Sequence, residues 1–276
     1  MEEKTKEESV DMKKGLKIAL KTLVNCFVVI MFMICSIFVL FPKMSLKING
    51  ALGLKKVKEL NYQMIYNRSS KITDLYNVIL FECEIGNYEK ELDYIDKMIS
   101  RDDYSEFCEE MDKLSLESTS DKSLVPYSVN VNGYLMGRKV VCLYKLEQNG
   151  IETYVYRQTN LGKLSEYSFS AYVDLLYNDD NLTDSQKREK LGLLINMLDA
   201  SGKTLDELID VRIENINNAL KLEQVKEKQI SLQYTLTRIY RSRYYVYDVL
   251  GDETKKKANS ELFIETKNKL NEMIGL

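Results

Sequence analysis

Residues 23–41 read LVNCFVVIMFMICSIFVLF, an apolar run without one charged side chain. Asn25 and Ser36 are its only clearly polar members. At a rise of ~1.5 Å per residue, such a helix just reaches across a hydrocarbon core of ~30 Å. A helix buried in a soluble core normally keeps one polar face, and this run has none. A cleaved leader ends at a small-residue site, whereas this run ends in Phe41-Pro42-Lys43 and follows a mixed-charge stretch. The sequence therefore predicts a single transmembrane anchor over 23–42, preceded by a short polar tail over 1–22.

Lysines stand on both sides of the run. Lys13, Lys14, Lys17 and Lys21 precede it, and Lys43, Lys47, Lys55, Lys56 and Lys58 follow it. Topology follows the lysine and arginine balance, which is close to a tie here, and long domains translocate largely regardless of charge. The expectation is a single-pass cell-membrane protein with a cytoplasmic N-terminus and an extracytoplasmic C-terminal domain. The reverse orientation, a cytoplasmic scaffold that recruits soluble partners, is the alternative. No acid interrupts 43–58, so this basic juxtamembrane segment is expected to meet anionic headgroups.

The 276-residue chain leaves ample length after the anchor for a domain with a real core. It contains no His and no Trp, two Pro and 19 Tyr; the usage resembles that of AT-rich bacteria. Without histidine the chain lacks the commonest general base and the commonest transition-metal ligand. Of five cysteines, Cys26 and Cys35 lie in the apolar run. Cys83, Cys108 and Cys142 form no C-x-x-C, so neither a zinc site nor a disulfide framework is indicated. No catalytic residue, cofactor or metal site is expected, and the chain reads as a non-enzyme.

Subtracting +1 for 1–22 and +5 for 43–58 from the overall −3 leaves −9 for 59–276. Fourteen acids against four basic residues lie between Glu82 and Asp121. That balance excludes the basic footprint of a nucleic-acid binder. Asp102, Asp103, Glu106, Glu109 and Glu110 are spaced to share a helix face and to dock a basic protein partner. A second partner-binding candidate is the Tyr/Arg-rich stretch with Arg238, Arg241, Tyr244, Tyr245 and Tyr247, residue types favoured at interface hot spots. Tyrosine rings also stack on sugars, so a cell-wall glycan is the rival ligand.

Helical periodicity governs the rest, and the fold class is all-α. Acidic helical hairpins are expected over 59–115, a polar loop over 116–125, and a helical domain over 126–276. The spacing predicts helices from Ala51 to Tyr66, from Ser70 to Gly86, and from Tyr88 onward. Over 127–158, Val129-x-Val131 and Tyr154-Val155-Tyr156 leave a β-hairpin open beside a helical reading. Thr183-x-x-Gln186 and Thr204-x-x-Glu207 are capping boxes; the first opens a helix to about Ala200. Gly202-Lys203-Thr204 imitates the end of a phosphate loop, but the earlier glycine is missing and the capping box accounts for Thr204. A bend is expected near Lys226–Lys228, and a last helix from Asp252 to Ile274.

Three segments share a helix–turn–helix pattern: LFECEIGNYEKELDYI from Leu80, LYKLEQNGIETYVYRQ from Leu143 and VYDVLGDETKKKANSELF from Val246. The first, with Gly86-Asn87-Tyr88 ahead of Leu92 and Ile95, resembles the centre of a tetratricopeptide repeat, best over residues 70–100. The small residue usual in the second helix and the closing proline are absent. The resemblance implies stacked antiparallel helical hairpins and protein or peptide binding, and it carries over no functional residue. An irregular α-bundle is the other architecture the pattern allows.

The expected function is a membrane-anchored interaction scaffold, or a subunit of an envelope-associated assembly. An extracytoplasmic glycan-binding module is the alternative.

Overall fold

A computed structural model describes residues 20–33, 36, 40–51, 53–118, 130–147, 150–160 and 165–275. The chain is all-α; among the described residues the sole extended pairing is an isolated bridge between Leu198 and Thr204. It divides into two compact units, residues 1–81 and 82–276.

In the first unit, residues 20–33 are helical. Every large apolar side chain named over this stretch is 44–73% exposed. Residues 34–35 and 37–39 of the apolar run lie outside the described residues. Among the described residues no helix is long and apolar enough to cross a membrane. Helix α1 (Pro42–Ala51) leads through Gly53, at φ +66°, into α2 (Lys55–Ser69). This glycine moves the expected start of α2 from Ala51 to Lys55. Ser70, in the left-handed region, closes α2 and its N–H returns to the Tyr66 carbonyl. Helix α3 (Ile72–Ile85) follows, and the boundary between the units falls within it.

The second unit continues with α4 (Tyr88–Ile99), α5 (Tyr104–Ser118), α6 (Val131–Lys145), α7 (Ile151–Asn160) and α8 (Ser165–Tyr177). It ends with α9 (Asp184–Ile195), α10 (Leu205–Leu222), α11 (Lys226–Leu250) and α12 (Glu253–Ile274). Over the described part of 127–158 the chain is helical, in α6 and α7, and not a β-hairpin; Val129 lies outside the described residues. Val131 and Val155 are spaced for helix faces, and both are buried there. Helix α5 runs through Ser118, beyond the start of the expected polar loop; the remainder of that loop and Pro126 lie outside the described residues.

Local signals set most boundaries. Gly86, Gly150 and Gly251, the turn residues of the three similar segments, have φ of +72°, +81° and +78°. A side chain at φ of this sign is strained, which explains why each turn uses glycine. Both capping boxes form as the spacing demanded, at Thr183/Gln186 and Thr204/Glu207. Helix α9 stops at Ile195, short of Ala200, because the chain enters a tight turn. The Asp199 carboxylate accepts from the backbone N–H groups of Ser201 and Lys203. The Gly202-Lys203-Thr204 resemblance to a phosphate loop is thus a turn plus a cap. The expected bend at 226–228 is a full break a few residues earlier. Glu223 leaves the helix, and its carboxylate accepts from the N–H groups of Gln224 and Val225.

The core of this unit is built by α6 to α11. Val140, Val155, Phe169, Tyr172, Leu176, Leu191, Leu205, Ile209, Leu236 and Val246 are among its buried members. Each such side chain contributes roughly 1.5–3 kcal/mol by leaving water. A smaller cluster joins Tyr167 of α8, Ile230 and Tyr234 of α11, and Leu270 and Ile274 of α12. Helices α6, α8 and α11 lie side by side and run in the same direction. Gly133 and Gly137 of α6 face Tyr167 and Ala171 of α8. Tyr167 then meets Tyr234, and Asp174 meets Arg241, on α11.

Candidate functional site

The acidic candidates remain largely at the surface. Asp102 is exposed in the turn before α5, and Glu106, Glu109 and Glu110 are exposed on α5 itself. Asp103 is occupied: Arg101 donates to both its oxygens at 2.7 and 2.8 Å, which holds the carboxyl below the usual carboxylate range. Asp112, one turn on, accepts from the backbone N–H of Val131 at 2.7 Å and so closes the start of α6. Burial pushes its carboxyl up to about 6, against the pull of that hydrogen bond.

The Tyr/Arg stretch forms an interface between helices of this chain. Tyr247 is 2% exposed, and its hydroxyl donates to Asp206 at 2.5 Å. Arg243 bridges Asp206 and Asp210. Burial opposes ionisation of Asp206, but Arg243, Tyr247 and Lys255 outweigh it and hold the carboxyl low. Tyr245 stacks on Tyr177 with centroids 4.1 Å apart and planes 14° from parallel. Arg241 pairs with Asp174. The reason for this inward use lies in α11, which packs against α8, α9, α10 and α12 at once. Tyrosine and arginine fill such a crowded position with apolar area while their tips find acids. Tyr244 stays half-exposed.

Arg238 has a different setting. Its guanidinium lies 4.6 Å from the Tyr167 ring centre and 5.7 Å from that of Tyr234, a cation–π position against both. It lines a groove of about 610 Å³ along α6 and α8. Small residues make the groove: Gly137 and Ala171 line it, and a Cβ added at Gly137 would lie 3.7 Å from that of Ala171, so the two helices run close there. Arg138 and Lys145 of α6 and Arg238 of α11 supply cations, and Asp174, Asp179 and Asp180 supply acids. Arg138 is fixed by two hydrogen bonds to the fully buried Glu91, at 2.7 and 2.8 Å. Tyr144 donates to Asp179 at 2.5 Å, and that bond lowers the Asp179 carboxyl. Burial raises the Asp174 carboxyl, while Arg241 and Arg238 partly offset the shift.

This arrangement suits binding of a polar segment that carries both signs of charge. Among the described residues no group of three or more His, Cys, Asp or Glu is placed to hold a metal. Burial pushes the Cys108 thiol up to about 11, so it is a protonated core residue at neutral pH. The groove was not anticipated, because its walls come from three separated stretches. The one local signal was the Gly133-x-x-x-Gly137 spacing on a helix.

The juxtamembrane lysines fall in the first unit. Lys43 and Lys47 are exposed on α1, and Lys55 and Lys56 at the start of α2. Lys58 is half-buried, its ammonium 5.0 Å from the centre of the Phe81 ring. No family model matches the chain, and no curated protein or solved structure is significantly similar to it.

Proposed function

We propose that this protein is a non-catalytic binding scaffold held at a membrane by the apolar run at 23–41. The observation that carries the reading is the helical stretch 20–33, which leaves ten large apolar side chains exposed. A helix that exposes apolar side chains on all sides, with none of the described residues covering them, is stable in lipid or against a partner. Confinement to a membrane would raise the effective concentration of the helical unit for neighbouring proteins. The acidic face of α5 and the mixed-charge groove beside Arg238 are the surfaces offered to a protein partner. An extracytoplasmic placement of the unit is part of the proposal.

The test is retention and sidedness in intact cells. The native cysteines are replaced by Ala or Ser, and Ile264, exposed on α12, is changed to Cys. The expected result is a chain that resists alkaline carbonate extraction and is labelled by a membrane-impermeant thiol reagent. Release by carbonate refutes the anchor. Retention with labelling only after lysis places the unit in the cytoplasm and refutes the orientation.

A further inference from the structure

Helix α1 is built inside out. Ser45, 4% exposed, and Asn49, 7% exposed, point inward toward α2. There Asn61, fully buried, donates to the Ser45 hydroxyl at 3.1 Å, and Asn49 donates to the same oxygen at 2.9 Å. Of its apolar members, Met44 and Ile48 point outward, 52% and 47% exposed, whereas Leu46 is half-buried and Pro42 buried. A helix facing water has the opposite arrangement, because burying amides and exposing methionine and isoleucine forfeits the hydrophobic term.

At ~100° per residue, Met44, Ile48 and Ala51 fall within a sector of about 60°. Lys47 and Lys43 follow along one edge of that sector and are exposed. The face continues into Leu40 and Phe41, both exposed, at the end of the apolar run. A shallow apolar cleft of about 510 Å³ opens there between Phe41, Met44 and Ile65, with Lys43 and Arg68 among its lining. Lys55 and Lys56 add two more exposed cations, and no acid occurs between Lys43 and Lys58.

We infer that α1 is an interfacial helix, seated on an anionic phospholipid surface with Met44 and Ile48 among the acyl chains and its lysines on the headgroups. Three observations favour lipid over a protein as the occupant. The face is continuous in sequence with the proposed anchor, its charge is uniformly positive, and the polar side chains of α1, Ser45 and Asn49, are tied to each other and to Asn61 inside the first unit. Lysine stems bend along an apolar face and keep the ammonium at headgroup level. An apolar face with flanking basic residues is the composition that partitions to such an interface. Each lysine near the surface strengthens binding about fivefold. The inference deepens the anchor proposal and rests on it.

The chain has no tryptophan, so one introduced indole reports without background. Single variants Met44→Trp, Ile48→Trp, Phe27→Trp and Ile264→Trp are made in the full chain and reconstituted in phosphatidylglycerol vesicles. Lipids brominated on the acyl chain then serve as quenchers. The inference expects at least twofold quenching at positions 44 and 48, strong quenching at 27, and none at 264. Changing Lys43, Lys47, Lys55 and Lys56 to Gln, or using phosphatidylcholine, is expected to at least halve the quenching at 44 and leave position 27 unchanged. Quenching at 27 without quenching at 44 and 48 overturns the inference and leaves the anchor standing. Quenching at 44 without quenching at 27 supports interfacial seating and removes the anchor. A blue-shifted indole at position 44 that brominated lipid does not quench means that protein covers the face, and overturns the inference.

Discussion

Replacing Arg138 with Leu tests the groove wall most directly, because its effect is predicted to depend on pH in a set way. Glu91 has no solvent exposure, and Arg138 supplies two charge-assisted hydrogen bonds to it. Without the cation, a buried carboxylate is costlier than a buried carboxylic acid, so the variant folds by taking up a proton. The ceiling on that cost is the work of protonating an ordinary glutamate in the unfolded chain. At pH 7 this is about 1.36 × (7 − 4.3), or roughly 3.7 kcal/mol; at pH 5 it is about 1 kcal/mol. A group protonated in the folded state contributes most stability at low pH and loses it as pH rises, so the deficit must grow upward from pH 5. Urea unfolding of the full chain in mild detergent, followed by helical circular dichroism, measures it. The double variant Glu91→Leu with Arg138→Leu removes the stranded acid and is expected to recover all but about 1–2 kcal/mol. An Arg138→Leu deficit that is equal at pH 5 and pH 7 would refute the reasoning.

Gly133→Ala would place a Cβ 2.7 Å from the Tyr167 ring and 2.8 Å from the Asn130 side chain, so a loss of roughly 1–3 kcal/mol is expected in the same unfolding assay. Thr204→Ala removes one capping box and should cost about 1 kcal/mol, read as a lowered Tm. Asp112→Asn keeps an acceptor for the Val131 N–H but discards a carboxyl raised to about 6. Such a group stabilises the fold below its unfolded value near 4 and loses that contribution as pH rises through 6. The variant should therefore lose the part of the stability decline between pH 4 and 7 that this carboxyl causes, and equal or exceed the parent at pH 8 in Tm measured across that range.

Caps and turns that follow a fixed residue pattern were legible in the sequence. Thr183 and Thr204 cap because their partners lie three positions ahead, and Gly86, Gly150 and Gly251 turn because of their own φ. Boundaries set by a competing side chain were not legible. The Asp199 carboxylate holds a turn where one helix was expected to continue, and the Glu223 carboxylate holds the break between α10 and α11. The Tyr/Arg stretch illustrates the limit for sites. Composition pointed to a partner-binding surface, but composition cannot tell a partner from α8 and α10 of the same molecule. Only the packing shows Tyr245 against Tyr177 and Tyr247 against Asp206. The groove has the same cause of invisibility, since Arg138, Asp174 and Arg238 meet only after three helices align. The inward placement of Ser45 and Asn49 is not legible because the lysine pattern of that segment specifies its charge but not which face is buried.

The length of α11 has a consequence for biosynthesis. Spanning 25 residues, or about 37 Å, it covers parts of four earlier or later helices. On a ribosome adding ~5–20 residues per second, α8 is finished several seconds before the end of α11 emerges to cover it. During that interval Tyr167, Leu176 and their neighbours have no lid, and the nascent chain is at its most adhesive. A premature stop before Lys226 would leave that condition permanent. Such truncations are therefore expected to appear as degraded or chaperone-bound chains, not as smaller folded proteins.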